Sequence, residues 1–395
     1  MYRIFWINIL SKLLINNYTC AFKEMNKKFK IFIKCVGLAF CLSTSVLNAQ
    51  ILKDTASLNL ITKGINYIYD FQFKNAGEVF NKISLTCPGH PIVSLFSGII
   101  TYWKNYPLLP SSDASVSFEK EMHDCIALCE KKMTGQDEEE YLLINLCARC
   151  MLLLYYSDND LTSEVFPLTM GTYKYLRRSF NYTSVYSDFY FFTGLYNYYR
   201  EAYPEAYPVY KTMAFLFPKG SKTKGLRELQ TAAKNSIFLK ADSYSFLSGI
   251  CIYFESNYQK AYYYSNSLYK LYPDNIQYLA MQIKNLLLLK QYDEAEELVI
   301  SSGIQSTNPF YQVQLTIFNG IIQEKKYHNY NQAQEYYKNG ITDISLFREY
   351  GNEFAAYAYF GLSRISEANG DKRGKKIYRK KAMELADFKK IDFND

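Results

Sequence analysis

Histidine is nearly missing from this chain: 395 residues carry only His90, His123 and His328. Neither His-Glu-x-x-His nor Gly-x-Ser-x-Gly occurs, which removes the helix-borne zinc site and the nucleophile elbow from the readings open to it. A triad dispersed along the chain is the hydrolytic arrangement left, since such groups need to meet only in space. A phosphate-binding loop is missing too. Gly220-Ser-Lys-Thr-Lys-Gly225 has the glycine spacing, but Leu226-Arg227 stand where Lys and Ser/Thr would hold phosphate and magnesium. Nor is there an excess of one charge. The net +7 falls to +1 once residues 1–49 are set aside, because they hold seven basic residues and one acid. A near-neutral body carries no electrostatic footprint for nucleic acid, nucleotide or an anionic membrane. Long apolar runs are absent as well: Ile283 to Leu289 is short and Lys284 interrupts it.

The basic start has another meaning. Met25-Asn-Lys-Lys-Phe-Lys is a positive head, Cys35 to Leu47 is apolar, and Ala49 precedes Gln50. That order predicts a signal peptide over 25–49, cleaved after Ala49, with 1–24 as upstream sequence. The apolar stretch falls short of the ~20 residues of a spanning helix. A lipid anchor at Cys41 is disfavoured by bulky Phe40 beside it. The expected address is periplasmic or secreted.

What the chain does have is a repeated spacing. Gly64, Tyr67, Ala76, Phe80 and Pro88 are matched by Gly249, Ala261 and Pro273 at the same offsets. Ile283 follows Gly249 by 34 residues and Ala295 keeps the alanine position; Gly320 with Ala333 and Gly361 with Gly374 and Tyr378 are one residue out of register. Small residues at fixed distance let paired helices touch, and the proline ends the second helix. The pattern resembles the tetratricopeptide repeat (TPR) family. The resemblance covers 54–110 and 241–390 and implies an all-α chain of helical hairpins in a right-handed superhelix, a class made mostly of adaptors and not of catalysts. It divides the expected mature chain into an N-terminal repeat over 50–110, an irregular helical region over 111–240, where the period fails, and C-terminal repeats over 241–395.

Within the middle region, Phe118 to Met133 and Glu138 to Tyr156 carry apolar faces at helical spacing, with Thr134-Gly135-Gln136 as the turn. The acidic run Asp137 to Glu140 reads as a helix N-terminus. Residues 196–220 are rich in tyrosine, with Pro204, Pro208 and Pro218 preventing one long helix. Tyr196, Tyr198, Tyr199, Tyr203 and Tyr207 form a candidate surface there, and a helix follows from Gly225 through Ala233.

Six cysteines lie beyond residue 49. Cys125/Cys129 and Cys147/Cys150 have the spacing of a zinc site, but on an antiparallel hairpin Cys129 and Cys150 stand about 15 Å apart, too far for one tetrahedral ion. The reading favoured is four small core residues, with a Cys125–Cys147 disulfide as the alternative. No metal and no cofactor is expected.

In the TPR family the first helix of each pair lines the concave face. Carried over, its groove positions are Ile61, Ile65 and Ile68; then Phe246, Ile250 and Tyr253; then Ala280, Lys284 and Leu287. The Lys/Asn pattern with which the chaperone-tail subset holds a carboxylate is missing. An apolar, aromatic groove suits a protein or peptide partner bound without a catalytic step. In the alternative, neighbouring helices cover these residues and no groove is open. A glycan-binding outer-membrane component resembling the SusD-like proteins is the second expectation, and an enzyme with dispersed residues around His90 or His123 the third.

Overall fold

The computed structural model describes residues 51–133, 137–208, 211, 217–386 and 391–393. The expected signal segment, the stretch before it and the turn Thr134-Gly135-Gln136 lie outside the described residues. Among the described residues every regular element is helical. Helix α1 (Thr55–Tyr69) pairs with α2 (Phe73–Thr86), α3 (Pro91–Lys104) with α4 (Asp113–Lys132), α5 (Glu138–Asp158) with α6 (Thr162–Ser179), and α7 (Phe189–Ala206) with α8 (Lys222–Asn235). Then come α9 (Lys240–Tyr253) with α10 (Tyr258–Leu271), α11 (Ile276–Leu288) with α12 (Tyr292–Gln305), and α13 (Pro309–Lys325) with α14 (Tyr330–Ile344). A 3₁₀ turn over Ser345–Gly351 leads into α15 (Asn352–Ala368) and α16 (Lys372–Leu385). Each helix packs on those before and after it in the chain, and α1 also meets α3, α3 meets α5, α11 meets α13, and α13 meets α15. This is the nearest-neighbour architecture of a helical repeat. It runs through 111–240 as well, where the sequence period fails.

The local chemistry sets these limits. Asp54, Ser112, Asn275 and Asn308 cap α1, α4, α11 and α13 by accepting backbone N–H bonds in the first turn, and Pro309 supplies the first residue of α13. The turn inside a hairpin is the same in six pairs. Phe71, Asp160, Ser256, Lys290, His328 and Gly370 all adopt positive φ, each two residues before its second helix begins. The next N–H then reaches back across the helix end, as Gln72 to the Tyr67 carbonyl (2.9 Å) and Gln291 to that of Leu286 (3.0 Å). That satisfies carbonyls left over at a helix C-terminus.

Small residues let the helices approach. A Cβ on Gly64 would lie 2.6 Å from the Phe96 ring and 2.9 Å from Val79, so this glycine seats α1 against α2 and α3. Ala76, Ala261, Ile283, Ala295 and Ala333 are wholly buried. Gly320 and Gly361 enclose the ring of Tyr337, whose hydroxyl donates to Glu324 (2.7 Å), itself held by Arg364 at 2.6 and 2.7 Å. In the middle region the crossing is backbone against backbone: a Cβ on Gly225 would meet the Tyr198 nitrogen at 2.5 Å and the Gly194 carbonyl at 2.7 Å.

A second kind of contact joins distant parts. Side chains of the first two hairpins meet those of the fifth to eighth. Tyr69 packs on Tyr272, Trp103 on Tyr278, and Tyr106 on both Phe310 and Tyr350. Tyr272 donates to Asn66 (3.0 Å) and Asn275 to the Tyr69 carbonyl (2.8 Å), bonds that span 206 residues.

The acidic run and the prolines act as expected, and the tyrosine-rich stretch does not. The acidic run opens α5, and its three glutamates also have distant tasks. Glu138 pairs with Arg178 (2.5 Å) and Glu139 with Lys53 (2.8 Å). Buried Glu140 accepts the N–H groups of Ile51 and Leu52 and lies 3.1 Å from His90 Nε2. The tyrosine-rich stretch offers no such surface: Tyr196, Tyr198, Tyr199 and Tyr203 are buried in α7, with Tyr196 against Phe180 and Tyr198 and Tyr199 against Phe254, while Tyr207 beyond the helix is half-buried. Pro204 sits inside α7 near its end, and the helix stops at Ala206.

Candidate functional site

The first helices of the pairs carry the candidate groove residues, and most of them are interior. Ile61, Ile65, Ile68 and Ile250 are at most 2% exposed. They hold the stack together and present no surface, because the inner faces on which they lie meet neighbouring helices and each other. Ala280 and Leu287 are buried likewise. Phe246 is also buried, its ring against Phe191 at 5.4 Å.

Phe246 nevertheless borders a cavity of about 40 Å³, closed by Tyr69, Cys147, Cys150, Met151 and Asp242. Tyr69 donates to Asp242 at 2.5 Å across the contact between the first and later hairpins. Burial lifts the Asp242 carboxyl to about 6, against the downward pull of the Tyr69 bond. Cys125, Cys129, Cys147 and Cys150 are free thiols. Burial pushes the Cys147 and Cys150 thiols up, which leaves them as inert packing. Among the described residues no group of three or more His, Cys, Asp or Glu is placed to hold a metal ion.

Tyr253 and Lys284 do come together, around a residue the sequence did not single out. Lys284 is 7% exposed, and its ammonium lies 3.4 Å from Glu353 and 3.2 Å from the Tyr253 hydroxyl, over whose ring it sits at 5.5 Å. The hydroxyls of Tyr253 and Tyr357 both donate to Glu353 Oε1. Burial opposes charge on Glu353, yet Lys284 and the two hydroxyls hold its carboxyl below the usual range. The result is a fixed ion pair between a buried ammonium and a half-buried carboxylate, where removing Glu353 leaves the Lys284 charge uncompensated.

Beside this pair is a second cavity, of about 50 Å³, room for a few water molecules. Aromatic rings of Tyr106, Phe310, Tyr350 and Phe354 form its walls, and Gln277 and Gln314 join Lys284 and Glu353 as its polar groups. The lining comes from α11, α13, α15, the 3₁₀ turn before it through Tyr350 and, through Tyr106, the segment after α3. The glutamines share one hydrogen bond, Gln314 Nε2 donating to Gln277 Oε1 at 3.3 Å. Lys284 was legible as a charge inside an apolar run. Glu353 and the two glutamines gave no local signal, since polar residues on an amphipathic helix are the rule.

Ionisable groups also gather at two histidines. His90 Nδ1 accepts from Ile92 N, so its Nε2–H faces Glu140, and the pair fastens residues 51 and 52. Exposed His123 meets the Tyr156 hydroxyl at 3.3 Å, which donates to Glu119 at 3.0 Å. Compared with known proteins, the chain matches no family model and no curated relative.

Proposed function

We propose that this chain is an exported, TPR-like scaffold, wound as a right-handed superhelix, that binds a peptide segment of a protein partner and performs no chemical step. The site is the inner face of the later hairpins. The observation that carries the reading is that four successive first helices contribute to one place: Tyr253 from α9, Lys284 from α11, Gln314 from α13 and Glu353 from α15. A rigid surface of this kind loses little conformational entropy when a chain docks. The periplasmic or secreted address rests on the signal-like segment 25–49, and with it any association with outer-membrane components.

A sugar ligand is the second reading, since aromatic rings beside amide and carboxylate groups also suit a pyranose. A cavity with room for a few waters is small for a sugar ring, and that favours the peptide. Panning a displayed peptide library against the purified protein tests it. Peptides enriched by the wild type and lost with Lys284→Met, which keeps the buried stem, are expected. No enrichment, or enrichment indifferent to Lys284→Met in a variant that melts normally, sinks the reading.

A further inference from the structure

The two glutamines of the polar cavity hold an unmet pair of hydrogen-bonding atoms. Gln277 and Gln314 are 8% and 1% exposed. Two facing amides can exchange two hydrogen bonds, but these make one, and Gln277 Nε2 and Gln314 Oε1 have no partner in the protein. Turning both amides over leaves the same remainder, one donor and one acceptor. Buried polar groups are nearly always satisfied, so a pair left open in a cavity marks a place for something else. Both residues line the same cavity as Lys284 and Glu353.

We infer that this cavity is a carboxamide subsite: it takes one planar amide group, from a peptide bond or an Asn or Gln side chain. The inference rests on the inner face being a ligand site. An amide supplies both a carbonyl for the open N–H and an N–H for the open carbonyl. A carboxylate offers acceptors only, and Glu353 repels it. An ammonium offers donors only, and Lys284 repels it. The rings of Phe310 and Phe354, edge to face at 6.0 Å, give the cavity an apolar wall beside these polar groups. Glu353 keeps 28% of its side chain exposed, which gives the cavity a side toward solvent. A hydroxyl can also donate and accept, so water or a sugar hydroxyl is the competing occupant.

Ligand-observed NMR on the purified chain separates these occupants, with acetamide, N-methylacetamide, acetate and methyl glucoside as probes. Acetamide or N-methylacetamide binds and acetate does not; a preference for the first points to a side chain and for the second to a peptide bond. Gln277→Leu and Gln314→Leu each weaken amide binding at least tenfold; each deletes one unmet buried atom but also breaks the shared hydrogen bond and opens its other half, so a small fall in melting temperature is expected. Should the leucine variants unfold, Gln277→Glu keeps the shape and replaces the open donor with an acceptor; it is expected to lose acetamide. Three results overturn the inference: no amide binding by the wild type, binding unchanged in the variants, or methyl glucoside bound in preference to acetamide. Peptides enriched in panning without acetamide binding overturn the subsite alone, whereas failure of both overturns the peptide-binding reading with it.

Discussion

Helices meet in two ways in this molecule. Within and between adjacent hairpins they meet through small residues: Gly64 against Val79 and Phe96, Gly225 against Gly194, Gly320 and Gly361 against Tyr337. Across the inner face, the first hairpins and later ones meet through large rings that carry hydroxyls, such as Tyr69 on Tyr272 and Tyr106 on Tyr350. The first kind brings backbones close and tolerates no added atom. The second spans a wider gap with side chains that are apolar along the ring and polar at the tip. The 39 tyrosines make sense on that account. Both cavities lie along the second kind of seam, where bulky rings from separate elements cannot tile the space completely.

The widest separation between the two seams is expected from Trp103→Ala. Trp103 is 4% exposed and touches Tyr69, Phe71, Tyr106 and Tyr278. Truncation costs about 3–5 kcal/mol. The Tyr278 contact crosses the inner seam while those to Tyr69 and Phe71 join the first two hairpins, so the hairpins should keep their helicity while the two ends part. Unchanged far-UV circular dichroism with a larger radius in X-ray scattering is the expected outcome. Loss of helix content without expansion contradicts the division into two seams.

Gly225→Val probes the other seam. The nearest obstacles to its Cβ are backbone atoms of α7, which cannot swing aside. Overpacking there costs about 3 kcal/mol. The denaturant midpoint is expected to drop with part of the helix signal, and with no expansion before unfolding.

These two seams were unequally legible in the sequence. Spacing alone marked Gly64, Ala76, Ala261 and Ala295, because a helix crossing constrains residue size at a fixed offset. Gly98 stands 34 residues after Gly64 and is seated the same way, against Met122, so the repeat signal reached further than the five-position pattern drew it. The hairpin turns left no such trace. Phe71, Asp160, Ser256, Lys290 and His328 adopt the left-handed conformation without being glycine, and only Gly370 advertises its turn. The inner seam could not be read locally. Lys284 and Glu353 are 69 residues apart, and a single chain does not say which distant polar residues will face each other.

The pH dependence should sharpen the comparison further. In the fold the Asp242 carboxyl titrates near 6, against 3.8 for a free side chain, with burial as the main cause. Between those values the folded chain keeps a proton that the unfolded chain has released, so protonation favours the fold. Stability is greatest below about 4 on this account and falls as pH rises through 6, by on the order of 1–3 kcal/mol. Asp242→Asn is expected to flatten the melting temperature between pH 4 and 7. A variant as pH-sensitive as the wild type would place the titration elsewhere.

The smallest effect is expected where a glycine has no seam to serve. Gly77 lies inside α2, and a Cβ there would meet nothing within 4 Å, unlike one on Gly64 across the same hairpin. Its freedom weakens the helix without allowing any close approach. Gly77→Ala therefore raises stability by up to about 1 kcal/mol, since alanine loses less backbone entropy on folding. Gly64→Ala must instead push the Phe96 ring and Val79 aside, and it lowers stability. Opposite signs for one substitution at two glycines of one hairpin, read as shifts of the thermal midpoint, would establish that contact and not composition fixes where this chain needs glycine. Equal signs would mean that helix propensity outweighs the seam.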